Sequence, residues 1–386
     1  MKLLIQAERR RILPWKILLA YFFVIFMFSM GLSSAIKNDY EVFDDGQEIS
    51  SQENLAHGKK YSKGKKLEID YIQFMKKKGK SYPYLDKSNL EQLLQQNYDG
   101  KELADLSSKE IEQLYQKRIQ NIQEELDGSK NIHYTAEEKQ RIIKKAKHPS
   151  IISMEYAEGW KNINGNMGKI VMAMIIISAI ILIQLFGNDP LVQMKQLYRS
   201  TRYGKWRLDR ARVILAYLSG IFLYATGMIL FVVVMAGRFG LSGADQPIQS
   251  NTATFFSVYD ITYGKQFLLN LGIGLLALIL MISLTLFVSI LADGIMTSGV
   301  IIAFFWILLL LFEQMKAFIV DHKFSNFMPL KMVDFQHYYI NNELYRIMGH
   351  SITSLQWVGI VSGILSVFFL LMAVIFENKK LKNSLT

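Results

Sequence analysis

Residues 17–36 read ILLAYFFVIFMFSMGLSSAI, twenty positions without a charge. About 20 apolar residues are what a helix needs to cross ~30 Å of hydrocarbon. Arg9, Arg10, Arg11 and Lys16 precede the run, and a long polar stretch, Lys37 to Met167, follows it. From Gly168 onward the chain is mostly long apolar runs. A water-soluble protein does not alternate in this way. The pattern predicts a polytopic membrane protein with one sizeable exposed domain hung between its first two spans.

Working outward, five further stretches qualify: Ile170–Phe186, Val213–Ala236, Phe267–Leu291, Ile295–Phe312 and Trp357–Phe376. Each is too long and uninterrupted for an ordinary core helix. Lipid offers no partner to an unpaired backbone group, and the alternating strands of a barrel are missing, so the spans are expected to be helical. The expectation is therefore an all-α polytopic membrane protein with six transmembrane helices and a largely helical extracellular domain between helices 1 and 2. The segments read as an amphipathic inner-face helix over 1–14, spans over 15–36, 168–187, 213–237, 266–292, 294–314 and 355–377, and an external domain over 37–167. A cytoplasmic loop falls at 188–212, an external loop at 315–354 and a cytoplasmic tail at 378–386. The last external loop carries Phe327-Met328-Pro329-Leu330, Met332, Val333 and Phe335, apolar enough to re-enter the bilayer if other helices bury its backbone.

Orientation follows from Lys and Arg in short loops. Lys2, Arg9, Arg10, Arg11 and Lys16 lie before span one; Lys195, Arg199, Arg202, Lys205, Arg207, Arg210 and Arg212 lie between spans two and three; Lys379, Lys380 and Lys382 follow span six. Both termini are expected in the cytoplasm, with the chain in the plasma membrane. Ser33-Ser34-Ala35 resembles a cleavage site, but the apolar segment is long for a signal peptide, so an uncleaved anchor is expected.

The net charge is +11, yet Lys37–Lys161 holds 22 basic and 22 acidic residues. The excess sits at the membrane edges, where topology and lipid headgroups account for it, and no nucleic-acid partner is expected. The chain has no cysteine. That excludes disulfides, thiolate metal sites and cysteine catalysis, and suits an outward-facing domain on a Gram-positive bacterium.

In the polar stretch, residues 37–81 are Gly- and Lys-rich and read as loosely ordered. Helices are then expected behind three capping boxes: Ser88 with Glu91, Ser107 with Glu110, and Thr135 with Glu138. The second helix carries Ile111, Leu114, Ile122 and Leu126 on one face and stops near Gly128.

Enzymatic signatures do not assemble. Gly240-Leu241-Ser242-Gly243 has the GxSG form of an intramembrane serine protease, but no apolar run contains the His that would activate the serine. Tyr259-Asp260 lacks a second Asp to share a proton. There is no HExxH and no phosphate-binding loop, so the chain is not expected to be an enzyme, and any ATP-driven work would draw on another polypeptide.

The decisive cytoplasmic stretch is 190–213, PLVQMKQLYRSTRYGKWRLDRARV. It combines aromatics, small residues and arginines as a docking element would. Its Ser200-Thr201-Arg202-Tyr203-Gly204-Lys205 resembles an element of ABC transporter type-2 permeases from Firmicutes. The layout is similar too: an inner-face N-terminal helix, a large external insertion after span one, and Tyr156-x-x-Gly159-Trp160 leading into span two. The resemblance implies that this loop couples to a separate ABC ATP-binding protein through Met194, Leu197, Tyr198, Arg199, Ser200, Arg202, Tyr203 and Gly204. It also implies that the chain itself holds no cofactor, that ATP-Mg binds in the partner, that a second permease (an identical or related chain) completes the assembly, and that membrane lipid surrounds it. The exported substrate could be an antimicrobial peptide, a lipid or a drug. The family commonly carries a Glu before this element, where the chain has Asn188-Asp189-Pro190. The alternative is a non-transporting receptor or scaffold whose external domain senses a ligand or partner.

Overall fold

The structure, a computed structural model, describes residues 2–44, 47–78, 82, 84–128, 134–187, 204–292, 294–314, 329–340, 344–347 and 350–383. Among these the fold is predominantly helical, with two small antiparallel hairpins. Helix α1 (Lys2–Ile12) ends at Leu13-Pro14, and α2 (Trp15–Asn38) follows. A proline before the first helical residue is well placed, since it cannot continue the preceding helix. Hairpin β1 (Val42–Asp44) and β2 (Gln47–Ile49) leads into the polar region, built of α3 (Ser51–Tyr61), α4 (Ile69–Lys78), α5 (Leu85–Asn97), α6 (Ser108–Glu112), α7 (Leu114–Gly128) and α8 (Ala136–Ala146). The apolar helices are α9 (Glu158–Leu182) with its short continuation α10 (Gln184–Gly187), α11 (Gly204–Phe239), α12 (Tyr263–Leu291), α13 (Ile295–Gln314) and, after the short turns α14 (Pro329–Met332) and α15 (His337–Ile340) and hairpin β3 (Leu344–Ile347) with β4 (His350–Thr353), α16 (Ser354–Asn383).

Five helical stretches among the described residues are long and apolar enough to cross a membrane: Trp15–Asn38, Glu158–Gly187, Arg207–Phe239, Tyr263–Leu291 and Ser354–Glu377. Helix α13 carries a shorter apolar run, Ile295–Leu308. Helices α9 and α12 are mostly buried, whereas α2 and α16 turn most of their residues outward. Phe23, Met27, Val233, Ile364 and Leu371 are exposed. In water such a surface would drive aggregation; against acyl chains it costs nothing.

The polar region differs from the sequence expectation at its start. Instead of loose chain, 51–61 and 69–78 are helices, and Leu55, Leu67, Ile72 and Met75 are buried. Sparse apolar residues among lysines suffice because Leu67, Ile72 and Met75 converge with Leu90, Leu93, Leu94, Leu106, Ile111 and Leu114 on one core, while Leu55 joins the core of the apolar helices. The capping boxes at Ser107 and Thr135 are present, with both reciprocal hydrogen bonds. Ser88 instead lies inside α5, which begins earlier; Asn54 Oδ1 accepts the Leu85 amide at 2.7 Å and takes over the capping role from another helix. The helix expected after Ser107 breaks at Gln113 into α6 and α7 and ends at Gly128.

This core is not made by the polar stretch alone. Phe255, from the α11–α12 connection, is buried in it, and Val258 and Leu344 pack against Ile122, Leu126 and Ile142. Segment 329–340 packs against the apolar helices. Met332, Val333, Phe335, Tyr338 and Tyr339 are buried with the apolar helices. A Cβ at Gly168 would collide with the Val333 carbonyl, so glycine lets α9 meet that backbone directly. Phe327 and Met328 of the expected re-entrant piece lie outside the described residues.

Candidate functional site

Of the residues that the sequence assigns to coupling, Met194, Leu197, Tyr198, Arg199, Ser200, Arg202 and Tyr203 lie outside the described residues. Gly204 is the first residue of α11. The described structure supplies the frame around that loop. Helix α11 runs without interruption for 36 residues from Gly204, about 54 Å at ~1.5 Å rise per residue.

Near its start α11 is fastened to α1. Arg212, only 1% exposed, reaches Glu8 with both Nε and Nη2 at 3.4 Å. Arg11 pairs with the same carboxylate at 2.7 Å and donates to the Leu185 carbonyl at 3.0 Å. The Arg212 guanidinium also lies 5.4 Å from the centroid of the Phe186 ring. One acid thus ties α1, α10 and α11 together. Sequence reasoning missed this, reading Arg212 as a topogenic charge. The signal was available: Glu8 is the only acidic residue in the first sixteen, among five cations.

The far end of α11 is clamped to α9. Tyr156 Oη donates to the Phe239 carbonyl at 2.7 Å, and Trp160 Nε1 donates to Leu241 O at 2.9 Å. Gly240 and Gly243 both have φ +81°. A Cβ on Gly159 would strike the Gly240 carbonyl. The glycines of the GxSG sequence are accounted for by a left-handed turn and a close approach. Tyr156 and Trp160, the aromatic residues before span two, grip the end of α11.

Next to this clamp is a buried polar cluster. Helix α9 begins ten residues before the expected span and brings Glu158 and Lys161 with it. Glu158, 5% exposed, accepts from Tyr40 Oη at 2.6 Å, from Lys161 Nζ at 2.8 Å and from Asn89 Nδ2 at 3.4 Å. Burial, and then the Glu158 carboxylate, push the Tyr40 phenol well above its ordinary pKa, so it stays a donor. Asn162 donates to Tyr40 Oη at 2.8 Å. Deeper, Tyr339 Oη donates to Asn270 Oδ1 at 2.8 Å, and Asn270 Nδ2 donates to Asn164 Oδ1 at 3.4 Å. These contacts link the polar region, α9, α12 and segment 329–340. A buried carboxylate with three donors is held, not poised to react.

In the polar region Arg118, 1% exposed, donates at 2.8 Å to each of three carbonyls: Phe255, Ala146 and Ser257. Burial lowers its pKa to about 10. It stitches the α11–α12 connection onto α7 and α8. Among the described residues no group of three His, Asp or Glu has the arrangement to hold a metal ion.

The fold and these contacts define a predominantly helical membrane protein. Comparison with protein-family models, with curated proteins and with solved structures returns no match.

Proposed function

We propose that the chain is the membrane-spanning permease subunit of an ATP-driven ABC exporter. In this reading it has six spans, both termini in the cytoplasm, and residues 37–167 outside a Gram-positive plasma membrane. A separate ABC ATP-binding protein holds ATP-Mg and docks on the 190–204 loop, and a second permease, identical or related, completes the pathway. Substrates in keeping with an open lateral apolar surface are an antimicrobial peptide, a lipid or a drug. The chain is then a transport subunit and not itself an enzyme.

The observation that carries the reading is α11. It leaves the loop at Gly204, is fastened by Arg212 to α1, and reaches the polar region at Phe239. At about 54 Å it exceeds the ~30 Å hydrocarbon core. A displacement delivered at the loop would reach the external clamp as a rigid-body motion, which is what coupling to ATP binding requires.

The test is purification of the tagged chain in mild detergent from its host, with mass spectrometry of what accompanies it. A stoichiometric ATP-binding protein, lost on Tyr203→Ala with Gly204→Leu, is the expected result. Recovery of the chain alone, or with a surface partner and no ATPase, would favour the receptor or scaffold reading instead.

A further inference from the structure

A cavity of about 500 Å³ opens between the end of α2, the end of α11 and one face of α3. Lys37, Lys59 and Arg238 all line it, and no carboxylate is among its described lining residues. A cation in the last turn of a helix is favoured by the helix dipole, which accounts for each of these residues singly. It does not account for three helices turning their cations to one space. Arg238 is aimed by its bond to Ser34, with Nη1 donating to Oγ at 2.9 Å. Lys59 Nζ sits 5.9 Å from the centroid of the Tyr156 ring.

Ser51 adds an independent sign. It is 1% exposed, lines the same cavity, and its Oγ has no hydrogen-bond partner. Buried hydroxyls are almost always matched, so an orphan on a residue in the wall of a cationic cavity marks a place for an acceptor. Helix α3 presents Ser51, Leu55 and Lys59 at four-residue spacing along one wall.

The surroundings specify what carries that acceptor. Met30 of α2 also lines the cavity, and Met27, Phe26 and Phe23 continue the same helix face, exposed by 53%, 41% and 61%. The cationic space therefore opens onto an apolar, lipid-facing surface at the junction of spans and polar region. We propose that this cavity binds the phosphate headgroup of an anionic membrane lipid, with an acyl chain lying along α2. Lys37, Lys59 and Arg238 neutralise the phosphate and Ser51 donates to one of its oxygens. The inference needs only that α2 and α11 cross a membrane, and it stands or falls separately from the exporter reading.

The experiment titrates the full chain, purified in a non-ionic detergent, with dihexanoyl phosphatidylglycerol, dihexanoyl phosphatidylcholine and inorganic phosphate. Tryptophan fluorescence and the thermal midpoint are read together. Phosphatidylglycerol should bind about tenfold more tightly than phosphatidylcholine and raise the midpoint, and added salt should weaken it. Lys59→Ala with Arg238→Ala should weaken phosphatidylglycerol about tenfold or more, Ser51→Ala by less, and Lys147→Ala, an exposed cation elsewhere, should leave it unchanged. If the double variant is not monodisperse, Lys59→Gln alone, at an exposed helix position, serves with an expected loss of about fivefold. Equal binding of the two lipids, or unchanged binding by the variants, would overturn the proposal. Saturation by inorganic phosphate alone with the same midpoint shift would also overturn it, in favour of a free-phosphate site.

Discussion

Arg118 concentrates the logic of the polar region in one side chain. It answers two carbonyls of the α11–α12 connection and the carbonyl of Ala146, the last residue of α8, where a helix end leaves its carbonyls without an intrahelical partner. Arg118→Met should therefore lower stability by about 3 kcal/mol, since buried carbonyls lose their donors. Arg118→Lys should be intermediate, because an ammonium cannot reproduce the guanidinium fork. Thermal unfolding of the purified chain checks both, and a Met variant as stable as the parent would refute the role. His57 makes a second prediction. Its ring stacks on Tyr84 at 3.6 Å and 4°, near Tyr61 and Tyr82, and burial lowers its pKa below the ordinary 6.5. Asp86 and Glu53 oppose that shift, and Lys65 and Lys60 reinforce it. The unfolded chain takes up this proton first as pH falls, so stability should decline on going below about pH 6.5. His57→Phe keeps the stack and removes the proton, and should flatten that decline. Glu110 does not confuse the assay: Lys101 first, then the Ser107 amide, hold its carboxyl at about 2, so its contribution is lost only in a more acidic window.

Among the elements, the long apolar helices were the most legible in the sequence, because twenty uncharged residues have few alternatives. The boxes Ser107/Glu110 and Thr135/Glu138 were legible for a local reason: cap and acceptor sit within one turn. Ser88 misled because the true start of α5 is capped by Asn54, which is 31 residues upstream of Leu85 and invisible to any local pattern. Helices α3 and α4 escaped notice because their few apolar residues find partners only in the folded core. The pairing of Glu8 with Arg212 spans 204 residues. It could be suspected from a lone acid in a basic tail, but its partner could not be named. That pair predicts a double-mutant cycle. Arg212→Met and Glu8→Gln should each destabilise, the former leaving Glu8 with Arg11 alone. The two together should cost less than the sum of the single changes, with a coupling of about 1–3 kcal/mol in thermal midpoints. Strict additivity would mean that the fastening does not hold α1 to α11.

For the whole molecule, a cysteine-free chain invites direct topology mapping. Under the exporter proposal, Lys63→Cys should react with a membrane-impermeant maleimide in intact cells, and Arg210→Cys only after lysis; the reverse pattern would invert the assignment. The fold also joins what the sequence keeps apart. The polar region is bounded by α2 and α9, yet its core is closed by Phe255 and Val258, which follow α11 in the chain. That order has a consequence for biosynthesis. When the ribosome has finished α8, the cradle around Arg118 still lacks two of its three carbonyls. At ~5–20 residues per second, the hundred or so residues up to Val258 take about 5–20 s to appear. Throughout that interval two more apolar helices must be threaded into the bilayer while a half-built core waits on its surface, so the maturation of this region is timed by membrane insertion and not by its own chain.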